Sequence, residues 1–204
     1  IGHNSPVVGN FIDEARIEKY RKYRKYRKNE KINSVFRFIF TGTFIERKQP
    51  LLLIHMAAKL HNQGIDFVLD MFGDGPLLEA SKKMAEQLGV ASFIVFHGYV
   101  NEPYKYISNA DVLILPSFSE GVSRSVLEAL CLGIPCVLRD VDGNRELIEE
   151  GVNGELFNSD AELLNLTLKL AKGAHNGIFY NKNLIPNRFR QNSCAKLYLN
   201  LIAQ

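Results

Sequence analysis

No stretch of this 204-residue sequence approaches the roughly 20 consecutive apolar residues that a bilayer-crossing helix needs. The opening residues, IGHNSPVVGNF, have neither the basic flank nor the long apolar run of a signal peptide. Cysteine is scarce: Cys131, Cys136 and Cys194 form an odd set, with no CxxC pair and no histidines at matching spacing. That argues against a disulfide framework and against a zinc site, and reduced thiols in the cytoplasm are the plain expectation. A dominant charge is missing as well. The net charge of +3 gives the molecule no bias toward nucleic acid, and no such partner is expected. What is present is ordinary for a soluble globular protein, 46% hydrophobic and 23% charged residues, at a length suited to one α/β domain with extensions. The first residue is Ile, which fits a segment of a longer chain.

Along the chain, residues 1–16 read as extended, with a turn at Gly9-Asn10. Residues 17–31 are dominated by the repeat YRKYRKYRK. Eight basic residues from Lys19 to Lys31 face only Glu30, and Tyr20, Tyr23 and Tyr26 recur every three residues. Two readings stay open: a solvated basic helix or linker, and a contact with an anionic membrane surface, which tyrosine and basic side chains both favour. From Val35 the texture changes to alternation. VFRFIFTG, DFVLDMFG, SFIVFHG, DVLILP and PCVLRD read as short apolar strands. PLLLIHMAAKLHNQG, LLEASKKMAEQLG, PYKYISNA, VSRSVLEALCLG and NRELIEEG read as the helices between them, several closed by glycine. A short edge strand at Gly154–Phe157, a helix over AELLNLTLKLAKG and a last amphipathic helix near 188–203 complete the chain. Strands separated by helices imply βαβ units and a Rossmann-like, doubly wound parallel sheet, α/β in class, buried on both faces. Such sheets bind ligands at the carboxyl ends of their strands, where the strand order switches.

The residues just after the strands therefore carry the functional reading. TGTFIERK places Gly42, Arg47 and Lys48 before a helix whose N–H groups could meet a phosphate. Taken alone, it is better read as a solvated loop with two surface charges. GDGP, with Gly73, is explained as a tight turn opening a helix; its third glycine is missing, so it is no dinucleotide fingerprint. HGYV offers His97, read as a partly buried strand-end residue rather than a catalyst. PSFSEGVSRSVLEA is the richest stretch. Glu120 precedes Gly121 and Ser123 in a loop, Glu128 follows eight residues later inside the helix, and the helix start near Val122 exposes N–H donors over residues 122–125. Carboxylates flanking an anion site suit hydroxyls on either side of a diphosphate, the layout of a nucleotide sugar; taken alone, the stretch is equally a surface glutamate at a helix start with an unrelated glutamate inside the helix. DVDGNRE after the fifth strand is as well explained by an Asx-type turn capping a helix.

These pieces together resemble the C-terminal domain of retaining GT-B glycosyltransferases of the group 1 type, family 4. The resemblance rests on EGVSRSVLE (Glu120 to Glu128), GTFIERKQ (Gly42 to Gln49), GDGP, FHGYV, ADVLILPS, EALCLGIPCVLRD and GVNGELF, in order, over about residues 35–172. VVGNFID resembles the segment that ends the N-terminal domain of such enzymes, and the last helix resembles the one that crosses back to it. The resemblance divides the chain into an interdomain segment and basic linker (1–34), a nucleotide-sugar-binding domain (35–172) and a tail with a helix packing on a missing N-terminal domain (173–204). It implies that Lys48 holds the diphosphate, Glu120 the donor-sugar hydroxyls and Glu128 the ribose. It implies that the backbone of Gly121, Val122, Ser123, Arg124 and Ser125 meets phosphates and sugar, with Gly98, Tyr99 and Val100 against the base. Glu120 and Lys48 are the catalytic candidates, and no metal or other cofactor is implied. The chemistry would be transfer with retention to a glycan or lipid-linked acceptor held by the missing domain, at the inner face of a bacterial membrane; the fragment alone should be inactive. Thr43 stands where the family usually has Arg, Gln49 and Asn144 where it usually or frequently has Gly; Arg47 or Arg124 are the candidates to replace the lost cation. Two other readings compete: a sugar-nucleotide epimerase or hydrolase of the same architecture, and a degenerate donor domain acting as a scaffold.

Overall fold

The structure, a computed structural model, describes residues 11–23, 35–173 and 182–202. The described residues build one parallel sheet of six strands in the order β3-β2-β1-β4-β5-β6. The strands are β1 (Phe36–Thr41), β2 (Phe67–Phe72), β3 (Ile94–Gly98), β4 (Val112–Leu115), β5 (Cys136–Arg139) and β6 (Gly154–Phe157). The central strand β4, VLIL, is buried at every position, because helices cover both faces. Its run of β-branched and Leu side chains has nowhere to alternate toward water, so the strand reads as uniformly apolar. The doubly wound expectation holds, and the order reverses between β1 and β4, which fixes where a crevice must open.

The helices are α1 (Glu14–Glu18), α2 (Pro50–Asn62), α3 (Leu78–Gln87), α4 (Tyr104–Asn109), α5 (Arg124–Cys131), α6 (Asp142–Arg145), α7 (Asp160–Ala171) and α8 (Gln191–Ile202). Helix α2 touches α3 and α7, while α5 touches α1 and α4, which gives a helical layer on each side of the sheet. Helix α2 begins with Pro50, whose missing N–H is one the first turn leaves unpaired anyway, and buries Leu53, Ile54, Ala57 and Leu60 on one stripe. Helix α7 starts on Ser159, whose side chain accepts the Glu162 N–H at 3.2 Å.

Three expectations need correction. Residues up to 16 are not extended throughout: α1 starts at Glu14 behind the cap Asp13, which accepts the Arg16 N–H at 3.0 Å. The segment from residue 17 is not simply solvated either. Ile17 is buried because α1 lies against α5, and Tyr20 packs its ring on Tyr104 because the 3-10 turn after α1, Lys19–Arg21, lies against α4. The helix expected over NRELIEEG sits a turn earlier, at Asp142–Arg145, with extended Val141 as its cap. The Gly9-Asn10 turn, most of VVGNFID, and Tyr26 with the rest of the YRK repeat lie outside the described residues. The three cysteines are free and buried, and burial pushes the Cys131 thiol up to about 12. Among the described residues no helix is long and apolar enough to cross a membrane.

Gln49, the cap of α2, has φ 53°, the only non-glycine positive φ among the described residues. A Cβ in that region costs about 1–2 kcal/mol, which explains why glycine suits the position. Gln49→Gly should therefore raise unfolding stability by about 1 kcal/mol, net of the extra freedom glycine gains in the unfolded chain, and Gln49→Val should lower it by at least as much. Urea denaturation measures both, and an unchanged midpoint in the glycine variant would show that the left-handed turn is not strained.

Candidate functional site

The loops after β1, β2 and β3 are joined backbone to backbone. Gly42 N–H donates to Phe72 C=O at 3.0 Å, Phe44 N–H to Asp74 C=O at 2.9 Å, and Gly73 N–H to Gly98 C=O at 2.8 Å. Gly73 has φ 131°, and a Cβ there would strike the Gly42 carbonyl, so no side chain can be accommodated at this crossing. Across the switch point the loop after β1 is tied to the loop after β4: Phe118 N–H donates to Arg47 C=O at 2.9 Å. The loop after β5 supports that loop in turn. Gly143 N–H reaches Glu120 C=O at 3.3 Å, and a Cβ on Gly143 would run into the Gly121 carbonyl. Every loop that could shape a ligand is thus held by its neighbour's backbone rather than by its own sequence.

Between these loops lies a cleft of about 540 Å³. Of the residues expected at the site, Gly42, Lys48, Gly73, Tyr99, Val100, Glu120, Val122, Ser123, Arg124, Ser125 and Glu128 line it. Lys48 Nζ donates to Glu120 Oε1 at 2.5 Å, with both side chains largely shielded from solvent. Arg47 stands beside them, its Nη1 donating to Ser119 C=O at 2.5 Å and lying 3.5 Å from Glu120 Oε1. Arg47, Gly98 and Gly121 do not line the cleft; they brace its walls. Of the two arginines that could replace the cation lost at Thr43, Arg124 is the one in the cleft.

Helix α5 begins at Arg124, two residues later than expected, because Ser123 is still extended and acts as its cap without a side-chain capping bond. The cap carbonyl is first used by Leu127 N–H at 3.1 Å. The N–H groups ahead of Leu127 in the helix therefore have no intrahelical partner, and they sit beside Ser123 and Ser125, whose hydroxyls are 3.1 Å apart. The site thus brings a lysine, an arginine and a positive helix end to one cleft, with the Glu120 and Glu128 carboxylates in its walls. The cleft is also lined by Thr43, expected there only as the replacement for a cation, and by Thr41, Phe72, Asp74, Asn101 and Pro103, which the sequence does not single out as site residues. All six lie at or just beyond a strand's carboxyl end, and that position was the available signal. His97 sits at the end of β3, stacked on Phe72 with ring centroids 4.1 Å apart and its Nε2 2.7 Å from Asp70 Oδ1, a structural placement behind the cleft wall. Among the described residues no group of three His, Cys, Asp or Glu side chains could hold a metal ion.

A family model described as glycosyl transferases group 1 matches residues 22–182. The chain belongs to this family. Within it, the Vi polysaccharide biosynthesis protein VipC/TviE of Salmonella typhi is 34% identical over 137 residues, covering 66% of this chain and 22% of that protein. A lipopolysaccharide 1,6-galactosyltransferase of Salmonella typhimurium is 33% identical over 101 residues, 47% of this chain and 28% of its own length. Anabaena HepE, solved in complex with UDP and glucose, superposes with TM-score 0.80 at 19% identity, covering 98% of this chain and 56% of HepE. The group 1 chain described here therefore spans only about a quarter of these curated relatives and about half of the solved one.

Within this group 1 domain, Glu128 is 9% exposed, and its carboxyl is pushed up to about 7 by burial, with Arg124 at 4.0 Å pulling the other way. The ordinary value is 4.5, so the folded state holds the proton more tightly than the unfolded state does. Its contribution to stability is complete below that ordinary value and is lost as pH rises through about 7. Above it, an ionised and desolvated carboxylate opposes folding. Glu128→Gln should therefore stabilise the protein at pH 8 by about 2 kcal/mol and change little at pH 5. Thermal unfolding at both pH values checks this, and a destabilised variant at pH 8 would mean that Glu128 is compensated by a partner.

Proposed function

We propose that the cleft binds a nucleoside-diphosphate sugar and that the protein is a retaining glycosyltransferase in surface polysaccharide or glycolipid synthesis. The observation that carries this reading is the Lys48–Glu120 pair beside the open end of α5. A diphosphate entering the cleft would take Lys48 from Glu120 and meet the α5 N–H groups, leaving the Glu120 carboxylate for hydroxyls of the donor sugar. Glu128, at the other side, suits the ribose. In the transfer, the bond from the anomeric carbon to the diphosphate oxygen breaks and its electron pair leaves on phosphate. The acceptor oxygen bonds to the same face of the sugar, and its proton passes to a phosphate oxygen. Charge developing on the leaving group is met by fixed dipoles and lysine, without a call on a metal. HepE, which shares the fold, supports testing UDP first.

The acceptor belongs to a part of the enzyme outside this chain, consistent with the share of its relatives that the chain covers. The outer face of α8, with exposed Tyr198, Leu199 and Ile202, suits contact with such a part. Work at the inner face of a membrane fits the exposed Lys19 and Lys22. The described tyrosines contribute less to that contact than their spacing implied, since Tyr20 packs on Tyr104 and Tyr23 is only half-exposed.

Calorimetry with UDP, GDP and ADP should show saturable binding of one nucleotide, undiminished by EDTA, and negligible sugar transfer by this chain alone. Lys48→Ala should weaken binding at least tenfold, since charge-assisted hydrogen bonds contribute about 1.5–3 kcal/mol. In the full-length enzyme Glu120→Gln should cut turnover about ten- to a hundredfold with folding intact. No saturable binding of any of the three would favour a scaffold, and nucleotide-sugar hydrolysis or epimerisation without acceptor would overturn the transferase.

A further inference from the structure

We propose that Glu102 is a positioning residue through which the N-terminal helix α1 sets the rim of the cleft, an inference that rests on the cleft being a nucleotide site. Glu102 lies between Asn101 and Pro103, and both of these line the cleft. Its carboxylate takes two donors, both from the N-terminal segment: the Arg16 guanidinium on Oε1 and the Tyr20 hydroxyl on Oε2 at 3.3 Å. The Tyr20 ring packs at 5.5 Å on Tyr104, the residue that opens α4 directly behind the rim. Tyr104 is buried, and its phenol is raised first by burial and next by the Glu128 carboxylate, so it stands beside the inner wall. Helix α1 and the 3-10 turn that follows it, Lys19–Arg21, therefore grip the cleft at two depths, at the lip through residue 102 and at the wall through residue 104.

The same segment is anchored at its other contacts. Glu14 accepts the Gln191 N–H at 2.6 Å and Arg190 Nη1 at 2.7 Å, at the start of α8. Arg21 Nε donates to the Cys131 carbonyl at the end of α5, at 3.0 Å. A shift of α1 against α5, or of the α8 start, is transmitted to the rim through the Arg16–Glu102 pair. That pair is itself well solvated, with side-chain exposures of 52% and 32%. An exposed pair adds little to stability, so a positional role can be separated from a structural one.

The test uses the full chain with Arg16→Glu, Glu102→Arg and the double charge swap, measured by UDP calorimetry, amide hydrogen exchange over residues 99–104 and thermal unfolding. Each single variant should weaken UDP binding about three- to tenfold and speed exchange at the rim, with the unfolding midpoint nearly unchanged. The swap should restore both affinity and protection. Single variants that bind UDP and exchange as the wild type does would overturn the proposal, as would a swap that rescues neither. If the wild type itself saturates with none of UDP, GDP and ADP, the nucleotide reading fails and the proposal falls with it. Intact wild-type binding with indifferent variants sinks the proposal alone.

Discussion

The site depends on the backbone hydrogen bonds that run from loop to loop across the carboxyl edge of the sheet. Parallel strands end with their peptide groups pointing outward, and each following loop must find partners for its own N–H and C=O groups. Here the partners are the adjacent loops: Gly42 with Phe72, Phe44 with Asp74, Gly73 with Gly98, Phe118 with Arg47, Gly143 with Glu120. Two of these crossings are close enough to exclude any side chain, at Gly73 and Gly143. The reversal of order between β1 and β4 then leaves a crevice whose walls are rigid because they are mutually bonded. Lys48 and Glu120 come together because their loops are stitched to one another.

The charge arrangement follows from that rigidity. The Lys48–Glu120 pair is almost out of solvent, where a lone member would be costly. Glu128 lacks so close a partner, and its carboxyl is raised accordingly. A carboxylate kept in such surroundings works against folding at neutral pH. Its retention is understandable if the group serves a bound molecule that supplies what the fold withholds, the usual relation between stability and function at a site.

Much of the fold could be read in the sequence because its signals were local. Short apolar strands, glycine-closed helices and Pro50 at a helix start are each decided within a few residues, and the rule that ligands sit after parallel strands then located most of the cleft. The misses arose where a distant contact decides. The start of α5 was placed two residues early because Val122 looks helical, whereas Ser123 stays extended in the folded loop. Gln49 carries no local sign of its left-handed backbone beyond the glycine that the family resemblance leads one to expect there. Basic residues dominate the N-terminal segment and point to solvent or to a membrane surface, while its burial turns on Ile17, Tyr20 and partners more than 80 residues away. The pull of burial on Glu128 depends on the packing of α5, which spacing alone does not convey.

Glu14 ties two stretches of chain that lie 177 residues apart, and through α1 both are joined to the back of α5. The folded unit therefore draws on both ends of the described chain: residues 11–23 and 182–202 belong to it as fully as the sheet does. A module cut at residue 35 would leave the α5 surface that Ile17 covers bare to water and strip the Arg190 guanidinium of its carboxylate. Chimeras that exchange this domain between members of the group 1 family should accordingly carry both terminal stretches from the same parent, since the joint between them is a matched pair rather than a linker.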